Sequence, residues 1–171
     1  MRTLAAVFFL GCGSTKPPAV SCRVVQEARG ITTTITPSAC HAARGAAVEF
    51  VVEWVITDAA PATVSLWDRT RMDSPIELTN WDIGERNVRY CDYCSHGGTN
   101  AEEMVPVEVA LPRGTFTRTL EWPGRQWLGP GDTSPPTPLG AEFPAGSYKL
   151  NARLYLSKDD PLLTSATIVV E

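Results

Sequence analysis

The chain has 171 residues and a formal net charge of −4, with 15 Lys and Arg against 19 Asp and Glu. This mildly acidic balance argues against nucleic acid or an anionic lipid surface as the partner. Fourteen Pro and 13 Gly are spread along the chain, which indicates many turns and argues against long helices.

The N-terminal segment has the pattern of an export signal. Arg2 precedes an apolar stretch at residues 4–11, which is too short to span a bilayer and is typical of a signal peptide. Cys12 follows this stretch directly, and its position resembles that of the lipidated cysteine at the end of a bacterial lipobox. A stretch that contains Gly, Ser and Pro comes after it. We predict a signal peptide over residues 1–11 and a lipidated Cys12 that begins a flexible tether over residues 12–20. The alternative is an apolar N-terminal strand with a buried thiol.

These features predict an exported protein of the cell envelope, lipid-anchored to a bacterial membrane. In a Gram-negative cell this would be the outer membrane. No later stretch of the sequence is long and apolar enough to be a transmembrane helix.

Residues 21–171 have the pattern of one β domain. Apolar and polar residues alternate most clearly over residues 48–56 and 148–156, which is the period of a half-buried strand. Weaker runs of the same period occupy residues 31–35, 64–67, 105–111, 116–122 and 166–170. The sequence therefore predicts an all-β fold, a single Ig-like antiparallel β-sandwich of about seven strands.

Four cysteines remain beside Cys12, namely Cys22, Cys40, Cys91 and Cys94. An even number behind an export signal predicts two disulfides. We favour Cys22–Cys40 and Cys91–Cys94, and pairing between the two sets stays open. The C-x-x-C segment also allows a zinc site, with two more ligands from Cys22, Cys40, His41 or His96. It allows a redox pair as well, although its loop-like flanks do not suit that interpretation.

Aromatic residues divide into core and binding candidates. Trp54 and Trp122 continue the apolar faces of their predicted strands, and so belong to the core. Five other residues fall in turn-rich segments and are candidates for a protein- or sugar-binding surface, with covering of the sandwich ends as the alternative. These candidates are Trp81, Tyr90, Tyr93, His96 and Trp127.

A Gly- and Pro-rich segment over residues 129–138 predicts an extended surface loop. It is either a plain connection or an element that docks on a partner. The sequence contains no nucleophile elbow, no zinc-protease motif and no phosphate-binding loop. We therefore predict no enzyme activity and no cofactor.

A turn ending in Gly114, a strand ending in Trp122, and a Pro-Ala-Gly-x-Tyr segment at residues 144–148 follow one another in the C-terminal third. Tyr148 occupies a position near that of a tyrosine corner. This order resembles the C-terminal half of Ig-like accessory domains of bacterial surface proteins, and it is similar to the Bacillus intracellular proteinase inhibitor (BsuPI-like) domain. The resemblance implies an Ig-like fold and, as an alternative function, proteinase inhibition by an exposed loop.

The sequence thus predicts a non-catalytic binding or structural component of an envelope assembly. Its expected partners are the membrane, through the lipid, and another envelope protein. A proteinase inhibitor and a zinc-binding envelope protein are the alternatives.

Overall fold

A computed structural model describes residues 22–66, 80–85, 88–91, 107–128, 139–157 and 160–171. These residues form strands and their connecting turns, with no helix among them. The predicted all-β class is confirmed. In chain order the strands are β1 (Val24–Ala28), β2 (Ile31–Pro37), β3 (His41–Ala42), β4 (Val48–Ile56), β5 (Thr63–Leu66), β6 (Asn80–Glu85), β7 (Val88–Cys91), β8 (Val107–Ala110), β9 (Gly114–Trp122), β10 (Arg125–Trp127), β11 (Leu139–Glu142), β12 (Gly146–Tyr155) and β13 (Pro161–Val170).

Two principal sheets form a sandwich. One has the order β1-β2-β4-β9, and the other has the order β3-β13-β12-β6-β7. Successive strands cross between them, since β4 lies in the first sheet, β6 and β7 in the second, β9 in the first again, and β12 and β13 in the second. This is the Greek-key arrangement of an Ig-like sandwich. One pairing departs from the antiparallel expectation, because the short β3 runs parallel to β13.

The β1–β2 hairpin sets the register of the first sheet. Its two connecting residues, Arg29 and Gly30, have φ values of 53° and 71°, as a type I′ turn requires. Ala28 and Ile31 are paired directly across the turn. This tight turn matches the twist of the flanking strands and places Ile31 and Ile35 on the face that points into the sandwich.

The core lies between the two sheets. Along β4, Val48, Phe50, Val52, Trp54 and Ile56 are at most 2% exposed and alternate with more accessible residues. Phe50 of the first sheet meets Trp81 of the second at a ring-centroid distance of 6.4 Å. Burial of each such side chain contributes about 1.5–3 kcal/mol. Trp54 and Trp122 are both core residues, as predicted.

A tyrosine corner precedes β12. The Tyr148 hydroxyl donates a hydrogen bond of 2.9 Å to the carbonyl oxygen of Pro144. Phe143, which is fully buried, packs edge-on between Trp122 and Tyr148 at centroid distances of 4.7 and 4.8 Å. The position predicted from the Pro-Ala-Gly-x-Tyr segment is therefore confirmed, and the corner fixes where the chain re-enters the second sheet.

The strands predicted from alternation are present, and β13 begins earlier than expected, at Pro161. Trp67 and residues 105–106, at the ends of two predicted runs, lie outside the described residues. Strands β1, β3, β6, β7, β10 and β11 were not expected. They are two to six residues long, and β6 contains Asn, Asp and Gly, which favour turns. Pairing with neighbouring strands makes them extended despite their composition.

Candidate functional site

Several predicted site residues lie outside the described residues. These are Cys12, Tyr93, Cys94 and His96, with the signal peptide, the tether and the loop over residues 129–138. The predictions made for them stay predictions. The described residues place the other candidates and the residues on either side of the loop over residues 129–138.

The Cys22–Cys40 disulfide is present, as predicted, with a Cα–Cα distance of 5.4 Å. It joins the residue two positions before β1 to the residue immediately before β3, so it closes the β1–β2 hairpin into a covalent ring. Cys91, at the end of β7, is also disulfide-bonded and is 1% exposed. Its predicted partner Cys94 is not among the described residues.

The described part of the chain contains no cluster of side chains that could form the zinc site considered above. Among those residues, no three His, Cys, Asp or Glu side chains converge on one point. His41 instead pairs through Nδ1 with Oε1 of Glu171, 2.6 Å away.

Trp81 and Tyr90 do not lie in loops, which corrects the sequence prediction. Trp81 is a β6 residue that is 3% exposed, and Tyr90 is a β7 residue that is 9% exposed. Their rings are 5.3 Å apart inside the sandwich. Both side chains point into the core because they alternate with the more accessible Asp82 and Arg89. Their burial leaves little of either ring to touch a partner.

Trp127 lies in a different environment, next to the outer edge of the second sheet. Its strand β10 contacts β7, which is the last strand of that sheet. The Cζ atom of Arg89 on β7 lies 5.7 Å from the Trp127 ring centroid, a distance that allows cation–π attraction. This contact brings Trp127 next to the strand that carries Tyr90, another of the predicted binding residues.

Two exposed leucines extend this surface. Leu128 follows Trp127 and is 67% exposed, whereas Leu139 is paired with Trp127 across β10–β11 and is 43% exposed. We call Arg89, Trp127, Leu128 and Leu139 the β7–β10 patch. Exposed large apolar side chains in the neighbourhood of an aromatic ring and a cation are typical of a protein-binding surface.

The local sequence builds this patch through a short irregular ribbon. The register of β10 and β11 shifts between Arg125 and Trp127. Gly140 allows the Leu128 side chain to lie across β11, since a Cβ atom there would come within 2.9 Å of Leu128 Cδ2. Arg125 and Glu142, 3.9 Å apart, pair at the other end of the ribbon.

The Trp127 indole provides an unused polar group. Its Nε1 atom is buried and finds no acceptor in the described part of the protein. A buried donor without a partner costs about 1–3 kcal/mol, and Nε1 of the core residue Trp122 is in the same state. The β7–β10 patch is therefore defined by its two exposed leucines, an indole ring and a guanidinium.

A second polar cluster lies on the outer face of the same sheet. Asp82 Oδ1 accepts a hydrogen bond of 2.7 Å from Asn151 Nδ2, and its Oδ2 pairs with Arg153. Asn151 in turn accepts a hydrogen bond of 2.8 Å from Ser165. These groups satisfy one another across β6, β12 and β13, so the cluster is suited to holding strand register.

Sequence reasoning found Trp127 but not Arg89, Leu128 or Leu139. The sequence feature that could have identified Leu128 and Leu139 is their position on either side of the Gly- and Pro-rich loop. Arg89 was not visible, because its contact with Trp127 depends on the packing of β10 beside β7.

Comparisons with known proteins add little. No protein-family model matches the chain, and no curated protein matches it. Among solved structures, a β-glucosidase from Listeria innocua in complex with laminaribiose is similar at 10% identity, with a TM-score of 0.39. The match covers 81% of this chain and 16% of that enzyme's chain. Within the described residues, no helix has the length and hydropathy needed to cross a membrane.

Proposed function

We propose that this chain is an exported lipoprotein, anchored through Cys12, that acts as a non-catalytic binding component of a bacterial cell-envelope assembly. We further propose that it binds a protein partner through the β7–β10 patch. The observation that carries the binding role is the exposure of Leu128 and Leu139 beside Trp127 and Arg89.

The Cys22–Cys40 disulfide supports export. Disulfides persist in oxidising compartments and are rare where thiols are kept reduced. The same bond ties the start of the folded domain, ten residues after Cys12, to the chain just before β3. A tether attached there would hold the sandwich at a fixed point of its surface.

The patch supports a protein rather than a small ligand. Its residues lie on β7, at the end of β10 and at the start of β11, and the leucines are well exposed. Interfaces draw much of their binding energy from aromatic residues and arginine in an apolar surround. Trp127 and Arg89 would be the anchors, with the two leucines beside them.

Site-specific photo-crosslinking in intact cells tests this proposal. A photoreactive residue at Leu128 is expected to capture one protein of defined mass, which mass spectrometry would identify as an envelope protein. Val25 is the matched control, because it is also apolar and 52% exposed but lies on β1 in the other sheet. Capture from both positions alike, or from neither, would contradict the patch as the binding surface.

A charge-introducing pair of variants supplies an independent test. Leu128→Asp is expected to weaken capture of the identified partner at least tenfold, because it places a carboxylate in the apolar contact. Val25→Asp should leave that binding unchanged. Equal thermal stability of the two variants would show that the loss is local.

The proteinase-inhibitor alternative depends on the loop over residues 129–138, which the structure does not describe. Nothing among the described residues favours it over the binding role. It stays a prediction, tested by whether the purified protein inhibits any protease and whether deletion of the loop removes that inhibition.

A further inference from the structure

The Cys22–Cys40 disulfide joins the start of the described domain to a segment that is bonded to both sheets. The Ser38 N–H donates a hydrogen bond to the carbonyl oxygen of Glu49 on β4, in the first sheet. The carbonyl oxygen of Cys40 accepts a hydrogen bond of 2.9 Å from the Val169 N–H on β13, in the second sheet. The chain at Cys40 is therefore held between the two sheets.

The same segment is fixed again immediately after Cys40. The carbonyl oxygen of Ala42 accepts a hydrogen bond of 2.9 Å from the Glu171 N–H, and the Arg44 N–H donates one of 3.2 Å to the carbonyl oxygen of Glu171. Cys22 donates its own backbone N–H to Cys40 Sγ at 3.0 Å. A force applied at Cys22 thus reaches a firmly held point of the sandwich through one covalent bond.

The strand β1, which the N-terminal segment leads into, is held much less firmly. None of its five residues is buried, and it forms the edge of the first sheet, where it is paired with β2. The bond between Ser38 and Glu49 assigns the even-numbered residues of β2 to β4. The odd-numbered residues of β2 then bond to β1, and their partners are Val24, Gln26 and Ala28. Because these hydrogen bonds are few and lie at the surface, a pull on the N-terminus of β1 would break them one after another.

We propose that the Cys22–Cys40 bond is a mechanical clamp, which passes the pull of the membrane tether to both sheets and prevents β1 from being peeled off β2. This inference rests on the proposed lipid anchor at Cys12, because the anchor supplies the pull. It concerns the point at which force enters the fold, and so goes beyond the stabilisation of the hairpin at equilibrium. Reduction of the bond would convert the same pull into local unfolding of β1.

Loss of β1 would uncover the edge of β2. Residues 31–35 of β2 are Ile-Thr-Thr-Thr-Ile, and β-branched residues of this kind favour extended structure. The N–H and C=O groups that Ile31, Thr33 and Ile35 direct to β1 would then form an open sheet edge, which is a template for pairing with other chains. The clamp therefore protects the first sheet for as long as its compartment is oxidising.

Single-molecule force spectroscopy of the oxidised, non-lipidated full chain tests the clamp. One handle is coupled to the Cys12 thiol, where the lipid would attach, and the other to an unnatural amino acid in place of Lys149, which is exposed on β12 between β13 and β6. The variant Cys22→Ser/Cys40→Ser is expected to show an early step on the order of 30 Å, as about nine residues from Cys22 onward become extended. That step should be absent from the unsubstituted protein, because the disulfide closes this stretch into a ring.

A second measurement uses the unsubstituted cysteines and does not depend on folding of the double-serine variant. Moving the first handle from Cys12 to an unnatural amino acid in place of Ala43, which is exposed just after β3, loads the clamped segment directly and bypasses both β1 and the disulfide. If the disulfide transfers the load, the first rupture force should be the same from Cys12 and from Ala43. A cooperative melting transition followed by tryptophan fluorescence would show that the double-serine variant is folded.

The proposal is overturned if the folded double-serine variant ruptures in one step with the whole sandwich, since β1 would then need no protection. It is also overturned if the chain with intact cysteines gives way at a lower force from Cys12 than from Ala43. Neither result bears on the lipid anchor, because a handle takes the place of the lipid. Conversely, a Cys12 without acyl chains in native membranes would refute the anchor and not the transfer of load.

Discussion

Tyr148 holds the turn before β12 through one hydrogen bond to Pro144. Tyr148→Phe removes this bond and keeps the ring that packs against Phe143. We expect the free energy of unfolding to fall by about 1 kcal/mol, the typical net value of such a bond. Urea denaturation monitored by tryptophan fluorescence measures it, and Tyr155→Phe serves as a control. If both variants lost the same free energy of unfolding, the hydrogen bond from Tyr148 to Pro144 would have no special stabilising role.

Arg29 and Asp160 form an exposed pair that joins the β1–β2 turn to the start of β13, with Arg29 Nη2 3.0 Å from Asp160 Oδ1. The hydrogen bond from Arg29, aided by its charge, lowers the pKa of Asp160 below its ordinary value. A carboxyl with a lowered pKa in the folded state stabilises the fold above its unfolded pKa, and this contribution is lost as the pH falls through the folded pKa.

An NMR titration of Asp160 tests this assignment. In Arg29→Asn, the pKa of Asp160 is expected to rise toward its ordinary value, because the guanidinium is gone while Asn tolerates the positive φ at this turn. Raised salt concentration should shift the Asp160 pKa of the unsubstituted protein in the same direction. An unchanged pKa in the variant would assign the shift to another cause.

At the scale of elements, the Cys22–Cys40 bond encloses the β1–β2 hairpin with a sequence separation of 18. Replacing both cysteines by serine frees this loop in the unfolded chain, and the free energy of unfolding should fall by about 3 kcal/mol. Chemical denaturation of the variant, compared with the oxidised unsubstituted protein in which the Cys22–Cys40 bond is intact, measures the loss. A loss well under 1 kcal/mol would mean that the hairpin is held by pairing alone.

Alternation of apolar and polar residues identifies the strands in which every apolar residue of the pattern is also buried. Val48 to Ile56 is such a case, because every second residue enters the core. β6 is the opposite case. Its Asn, Asp and Gly residues favour turns locally, and only its place beside β12 makes it a strand. That placement also explains why Trp81, expected at a surface, is a core residue.

The β7–β10 patch likewise depends on packing that local sequence does not reveal. Trp127 could be named from the sequence, but its neighbour Arg89 lies 38 positions earlier in the chain and reaches it only through packing. Contacts between distant, short strands leave no periodic signal. Sequence reasoning therefore located one aromatic anchor of the site and the loop that follows it, and could not assemble the surface.

At the scale of the whole molecule, the proposed function combines a lipid anchor at Cys12, a sandwich whose first hairpin is closed by a disulfide, and one binding surface. The patch lies at the edge of the second sheet, and β9 forms the edge of the first.

Intact-mass spectrometry of the protein extracted from native membranes, with and without reduction and alkylation, tests the proposed export and lipidation. We expect loss of residues 1–11, added acyl mass on Cys12, and four thiols that become reactive only after reduction. A full-length chain with free thiols would contradict it, and would place the protein in a reducing compartment.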